Sequence, residues 1–207
     1  ALSLSGAAYQ GVFKNPLVAP DLLGVSSGAC VGASVAILLH LNSFGVQAMA
    51  FVAGILAVGL TLFIPRLIKN TNMTMLVLSG IIVKGIMDSV MGIIKYVADP
   101  ETELQSITYW QLGSLTKVLP KDLFTVGPVI VTASVIIFLL RWRINILSLG
   151  DREAKTLGVS VTVVRNFIII CATLLTASAV CISGTIGWIG LVIPHFARML
   201  TGPDNTK

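Results

Sequence analysis

The chain has 207 residues, 55% of them hydrophobic and only 11% charged, and its mean hydropathy is +0.93. Ordinary soluble domains carry roughly 25% charged residues, and a soluble core could not hide apolar stretches of about 20 residues repeated along a whole chain. A soluble domain is therefore excluded, and the formal charge of +5 does not point to nucleic acid, because Lys and Arg lie in short clusters between apolar spans and form no basic stripe with interleaved aromatics.

The remaining class is all-α: a polytopic helical membrane protein, with the lipid bilayer as its main solvent. Apolar runs bounded by turn signals predict a partial span at residues 1–13, then spans near 22–41, 46–67, 73–97, 123–140 and 162–182. A last stretch, 185–200, is interrupted by Gly187, Gly190 and Pro194 and reads as a broken or late-starting helix. Together they read as one transmembrane domain over 1–207. The start, Ala1-Leu2-Ser3-Leu4, has no basic n-region and no small-residue cleavage site, so a signal peptide is not expected. Both ends fall in mid-pattern, and further helices are expected on either side.

Short loops rich in Lys and Arg stay on the cytoplasmic side. Lys14, Arg66, Lys69, Arg141, Arg143, Arg152, Lys155, Arg165 and Arg198 fall on alternate sides of consecutive spans, which puts all of them on one face. The opposite face receives His40, Asn42, Asp99, Glu101 and Glu103, with Lys117 and Lys121 as exceptions. Trp110 and Trp142 sit near span ends, where aromatic rings anchor at headgroup level. The stretch between Asp99 and Asp122 is too polar to span and predicts an outer loop carrying a short helix. Gly24, Gly28 and Gly32 recur every fourth residue and predict close helix packing. Cys30, Cys171 and Cys181 lie in apolar segments with no CxxC pair and no nearby His, so neither a disulfide framework nor a metal site is expected.

Three motifs carry function. The first runs from Gly6 to Gln10, through Asn15-Pro16-Leu17-Val18-Ala19-Pro20, to Leu23-Gly24 and Gly28; by its chemistry alone it is a rigid turn between spans. The second, Leu149-Gly150-Asp151-Arg152-Glu153-Ala154-Lys155-Thr156-Leu157-Gly158, lies in the cytoplasmic loop 141–161. Asp151 can cap a short helix there and Gly158 can end it; the element is either an interfacial amphipathic helix or a docking element for another subunit. The third runs from Gly184 through Trp188, Gly190, Pro194, His195 and Arg198 to Gly202 and Asp204.

In this order the motifs resemble the FecCD/BtuC-type permease family of ABC importers for iron siderophores, haem and vitamin B12. They match its Gln-x4-Asn-Pro-Leu-Ala-x-Pro signature at Gln10, Asn15, Pro16, Leu17 and Pro20, its Leu-Gly-Glu-x-x-Ala-x-x-Leu-Gly docking pattern with Asp151 in place of Glu, and its Pro-His-x-x-Arg run with Trp188 in place of Phe. The resemblance implies the importer type II fold. It also implies an ABC ATPase partner that binds ATP and Mg²⁺, an extracytoplasmic substrate-binding protein and a second permease copy, in a bacterial inner membrane. Against a ten-helix member, the first helix and the last two are not in this sequence. The chain contains no Gly-x-x-x-x-Gly-Lys-Ser/Thr run, so no P-loop of its own; it is read as a transport subunit, not an enzyme, with no cofactor, and the expected cargo is a metal chelate, an iron siderophore first.

Charges inside a span cost roughly 2.5–3.5 kcal/mol each on insertion scales, which makes Lys84 and Asp88 candidates. With Met91 and Lys95 they share one face of the span 73–97. This stripe either contains a self-neutralising Lys84–Asp88 pair or, since the resemblance makes this the cavity-lining helix, faces the substrate path. An ion-coupled secondary transporter using Lys84 and Asp88 is the alternative from another class. An intramembrane enzyme is disfavoured: His40 lies at a loop, His195 stands alone, and no nucleophile adjoins a base.

Overall fold

The computed structural model describes residues 1–69, 72–116 and 118–202; Lys117 and Asp204, named above, lie outside them. The described residues form ten α-helices and no strand: α1 (Leu2–Phe13), α2 (Val25–Leu38), α3 (Ser43–Leu67), α4 (Met73–Val97), α5 (Glu103–Leu112), α6 (Pro120–Leu139), α7 (Arg141–Leu149), α8 (Asp151–Thr156), α9 (Val161–Ser183) and α10 (Ile189–Thr201). A short 3-10 helix, Pro20–Leu23, precedes α2. Four helices, α3, α4, α6 and α9, are long and apolar enough to cross a membrane. Their most apolar windows differ in role, for 67% of the α9 window is buried, against 33%, 28% and 22% for α3, α4 and α6. α9 is thus enclosed by protein, whereas the other three keep broad apolar faces such as Leu56, Phe63, Ile86, Ile93 and Phe138 on the outside.

The expected span 22–41 is realised as a shorter helix. Gly24 adopts a left-handed φ of 80°, which separates the 3-10 helix from α2 and leaves α2 with 14 residues. Gly24 is consequently the N-cap and not part of the packing stripe. The loop expected at 141–161 contains a helix that sequence patterning left out: α7 buries Ile144, Ile146 and Leu147 while Trp142 stays 62% exposed. The last segment starts late, as expected, with residues 184–187 non-helical and α10 beginning at Ile189.

The described residues fall into two compact units, 1–20 with 127–176 and 187–202, and 21–126 with 177–186. In the first unit, Val164, Ile168, Ile169, Ala172 and Leu175 of α9 are buried with Tyr9 and Val12 of α1. Hydroxyls join the two helices inside this core, Tyr9 to Thr173 at 2.9 Å and Ser5 to Thr176 at 2.8 Å, so these four buried hydroxyls are satisfied. α1 also meets α10 backbone to backbone: a Cβ on Gly6 would collide with the Gly190 carbonyl.

In the second unit α2 is seated in α3. A Cβ on Gly28 would lie 2.5 Å from the Ala57 Cβ and 2.8 Å from the Ala53 carbonyl oxygen, and one on Gly32 would strike the Met49 carbonyl. Only glycine permits that approach. Thr61 tightens the seam by donating to the Leu23 carbonyl at 3.0 Å. At one end of the unit Cys30, Met91, Ile94, Ala98 and Ile107 form a buried cluster against which Trp110 is partly packed. Asn42 caps α3 by accepting from the Gly45 amide at 2.8 Å, and His40 approaches Glu103 at 3.4 Å. All three cysteines are buried and unpaired.

Candidate functional site

Helix α8 has six residues, too few to be stable alone. Its one buried side chain is Ala154, whereas Leu157, and Leu149 just before the helix, are 59% and 67% exposed. Asp151 does not cap it: Gly150 is the N-cap, without a side-chain cap bond, and the Asp151 carboxylate is spent elsewhere. Arg165 of α9 donates from one nitrogen, Nη2, to both carboxylate oxygens at 2.8 and 2.9 Å, and Lys14 at the end of α1 reaches Oδ1 at 3.4 Å. Those bonds, from Arg165 foremost, hold the Asp151 carboxyl below the usual carboxylate range, against the opposing effect of its partial burial. Lys14, Asp151 and Arg165 thus gather at one end of the first unit. Glu153 turns back toward Gly150, Gly158 ends the element with a φ of 75°, and Asp151 to Glu153 remain open to solvent.

The first and third motifs meet in a second arrangement. Gln10 is 3% exposed; its amide nitrogen donates to the carbonyls of Val18 and Leu191, each at 3.3 Å, and its amide oxygen accepts from the Arg198 guanidinium. Arg198 also donates to the Ala7 carbonyl at 3.4 Å. Asn15 orders the intervening turn, its side chain accepting from the Leu17 amide at 2.9 Å, while Leu17 is exposed and Pro20 buried. Pro194 is buried and His195 exposed, its ring 6.5 Å from that of Phe196. The motif residues therefore serve a structural clamp between α1, the Asn15–Pro20 turn and α10.

On α4 the Lys84–Asp88 pair, one of the two readings of the stripe, is not formed. Lys84 instead reaches Asp21 Oδ2 at 3.1 Å, because Asp21 is fixed beside it: its other oxygen accepts from the Ser26 amide in the first turn of α2 at 2.9 Å. Lys84 and Asp88 are exposed and Lys95 half-buried. Met91 lies inward, 6% exposed, with its sulfur accepting from Ser34 at 3.4 Å, so it does not share the open stripe. Asp21 is the residue sequence reasoning missed; its signal is an Asp between a proline and Leu-Leu-Gly, the usual setting of a helix-start carboxylate.

A cavity of about 410 Å³ opens in the second unit between Gln47, Tyr109, Trp110 and Asp122. Its carboxylate is occupied, Oδ1 accepting from Gln47 at 3.1 Å and Oδ2 from the Leu119 amide at 2.9 Å, so Asp122, in the first turn of α6, reaches back to the amide just ahead of the helix.

With this geometry in hand, comparison places the chain. The sequence model of the FecCD transport family matches residues 1–207, and the chain belongs to that family. It is 37% identical over 205 residues to the molybdate import system permease protein MolB of Haemophilus influenzae, covering 99% of this chain and 60% of that protein. It is 40% identical over 207 residues to the "Probable iron chelatin transport system permease protein" of Helicobacter pylori, covering 100% of this chain and 62% of the relative. A solved structure titled "An inward-facing conformation of a putative metal-chelate type ABC transporter" superposes with a TM-score of 0.93 at 36% identity, over 99% of this chain and 65% of that one. The chain thus spans about three fifths of the length of the curated relatives it matches. It is a multi-pass, all-helical membrane protein with the fold of that transporter.

Proposed function

We propose that the chain is the greater part of the permease subunit of an ABC importer, passing a metal chelate across the bacterial inner membrane with energy from ATP hydrolysed in a partner subunit. The observation that carries this reading is α8: a helix of six residues, tied at its first residue and flanked by Leu149 and Leu157, both open to solvent. An isolated protein gains nothing by exposing two leucines beside a charged helix, whereas a docking partner buries them, roughly 1.5–3 kcal/mol apiece. Leu149, Gly150, Asp151, Glu153, Ala154, Leu157 and Gly158 would form the ATPase contact on the cytoplasmic side. ATP and Mg²⁺ belong to the partner. A second permease copy would complete the path, and a substrate-binding protein would deliver cargo from outside.

Lys84, Asp88 and Lys95 are proposed to border the path, and an iron siderophore is the cargo named first, with haem and cobalamin as alternatives. A molybdate-like oxyanion is a second reading, favoured by the relative named for molybdate import and by the cationic Lys84 and Lys95. The test is reconstitution of the full-length permease in vesicles with its ATPase and binding protein, followed by a panel of ferric siderophores, haem, cobalamin and molybdate. ATP-dependent uptake of one cargo is expected. Uptake that continues without ATP but stops when the proton gradient is collapsed would instead establish a secondary transporter.

A further inference from the structure

The exposed leucines account for how a partner grips α8, but not for how a push on so small an element reaches the spans. Ala154 is the only side chain α8 buries, and one methyl contact would let the helix slide or swing by itself. The ion cluster supplies the missing connection. Arg165 sits in the second turn of α9, a helix whose inner half is packed with fully buried Ile168, Ile169, Ala172 and Leu175, and its side chain is only 11% exposed. Asp151 is its one anionic partner among the described residues. Breaking that contact strands a mostly buried cation, which makes the separation of α8 from α9 costly in a way that two solvent-exposed charges would not be. Lys14 shares the same carboxylate and belongs to the end of α1, itself joined to α9 by the Tyr9–Thr173 and Ser5–Thr176 hydroxyl pairs.

We propose that Arg165 is a positioning residue which, through Asp151, makes α8 move as one body with α9, with Lys14 bringing the end of α1 into the same body. The source of the push rests on the importer reading given above; the mechanical link rests on the cluster alone. The detailed contact makes a sharper statement possible. Arg165 uses a single nitrogen, and its buried Nε has no acceptor, so the guanidinium acts as a point charge and not as the two-nitrogen fork for which arginine is usually irreplaceable. A lysine ammonium can then do the same work.

The experiment compares wild type, Arg165→Lys and Arg165→Gln in the full-length permease. In vesicles with the ATPase and binding protein, cargo imported per ATP hydrolysed is expected to fall about tenfold in Arg165→Gln, the size of an ordinary coupling between sites, and to return to within about twofold of wild type in Arg165→Lys. Copurification of the ATPase with all three variants is expected, since Arg165 is set back from the docking surface; its loss in Arg165→Gln alone would make Arg165 a docking residue and overturn the proposal. Equal ratios in wild type and Arg165→Gln would overturn it too, as would equal losses in both variants. Hydrogen–deuterium exchange on the permease without partners supplies an independent reading. Amides of 151–158 should exchange about fivefold faster in Arg165→Gln, with protection of 168–176 unchanged, and identical exchange of 151–158 in wild type and Arg165→Gln overturns the link. If wild-type vesicles show no ATP-dependent uptake, the importer reading fails, while the exchange measurement still decides whether Arg165 holds α8.

Discussion

Replacing Gly28 by Ala adds one methyl group at the seam between α2 and α3, and the structure gives its consequence. The new Cβ would lie 2.5 Å from the Ala57 Cβ and 2.8 Å from the Ala53 carbonyl oxygen, whereas carbon atoms in contact rest about 3.5–4.0 Å apart. Both neighbours are held by the backbone of α3, so neither can rotate away, and the two helices must separate by about 1 Å. Overpacking of this kind costs about 1–3 kcal/mol. Alanine regains about 0.8–1.0 kcal/mol over glycine in a helix interior, which leaves a net loss of about 0–2 kcal/mol. Gly59, on α3 itself, is the internal control: nothing lies within 4 Å of a Cβ there, and Gly59→Ala should gain about 0.8–1.0 kcal/mol. Unfolding of the full-length protein from lipid discs, followed by circular dichroism during a detergent titration, should separate the two variants by about 2 kcal/mol. Equal midpoints for Gly28→Ala and Gly59→Ala would refute the claim that the seam is closed to backbone contact.

Three other outcomes follow from the polar contacts. Gln10→Ala strips a donor from the Val18 and Leu191 carbonyls and an acceptor from Arg198, and should destabilise the protein by about 2–4 kcal/mol, read in the same titration. A double-mutant cycle should give Lys84 and Asp21 a coupling of about 0.5 kcal/mol, as for other partly exposed pairs, and Lys84 with Asp88 a value near zero; the reverse order would restore the pairing that the structure excludes. The third concerns pH. Because the Asp151 carboxyl titrates below its unfolded value of about 3.9, its contribution to stability is complete above that value and is lost as pH falls through the folded one. With Asp151 half exposed, that contribution is under about 1 kcal/mol. Protection of 151–158 against hydrogen exchange, corrected for intrinsic rates, should therefore be flat from about pH 5 to pH 8; a drop near neutrality would assign the control of α8 to another group.

The class of the protein was legible without coordinates, because a bilayer demands long apolar segments and satisfied backbone, and both are properties of local composition. α3 and α4 stand where the hydropathy pattern predicts them, and the late start of α10 agrees with the break read at Gly187, whereas Gly190 and Pro194, also read as interruptions, lie inside the helix. α7 was missed, since a nine-residue helix has too few turns for its buried Ile144 and Leu147 to rise above the charged residues around them. The use of each charge was beyond reach for a different reason. Asp151 and Arg165 are 14 residues apart, and Lys84 and Asp21 are 63 apart; Asp88, one turn from Lys84, was the natural partner by helical spacing. Local pattern determines which segments are helices and which faces are apolar, but an ion pair forms only where two charges come within about 4 Å, so its membership depends on where packing sets the helices down. That choice was made by close contacts such as those of Gly28 with α3 and Gly6 with Gly190, and only the folded chain contains them.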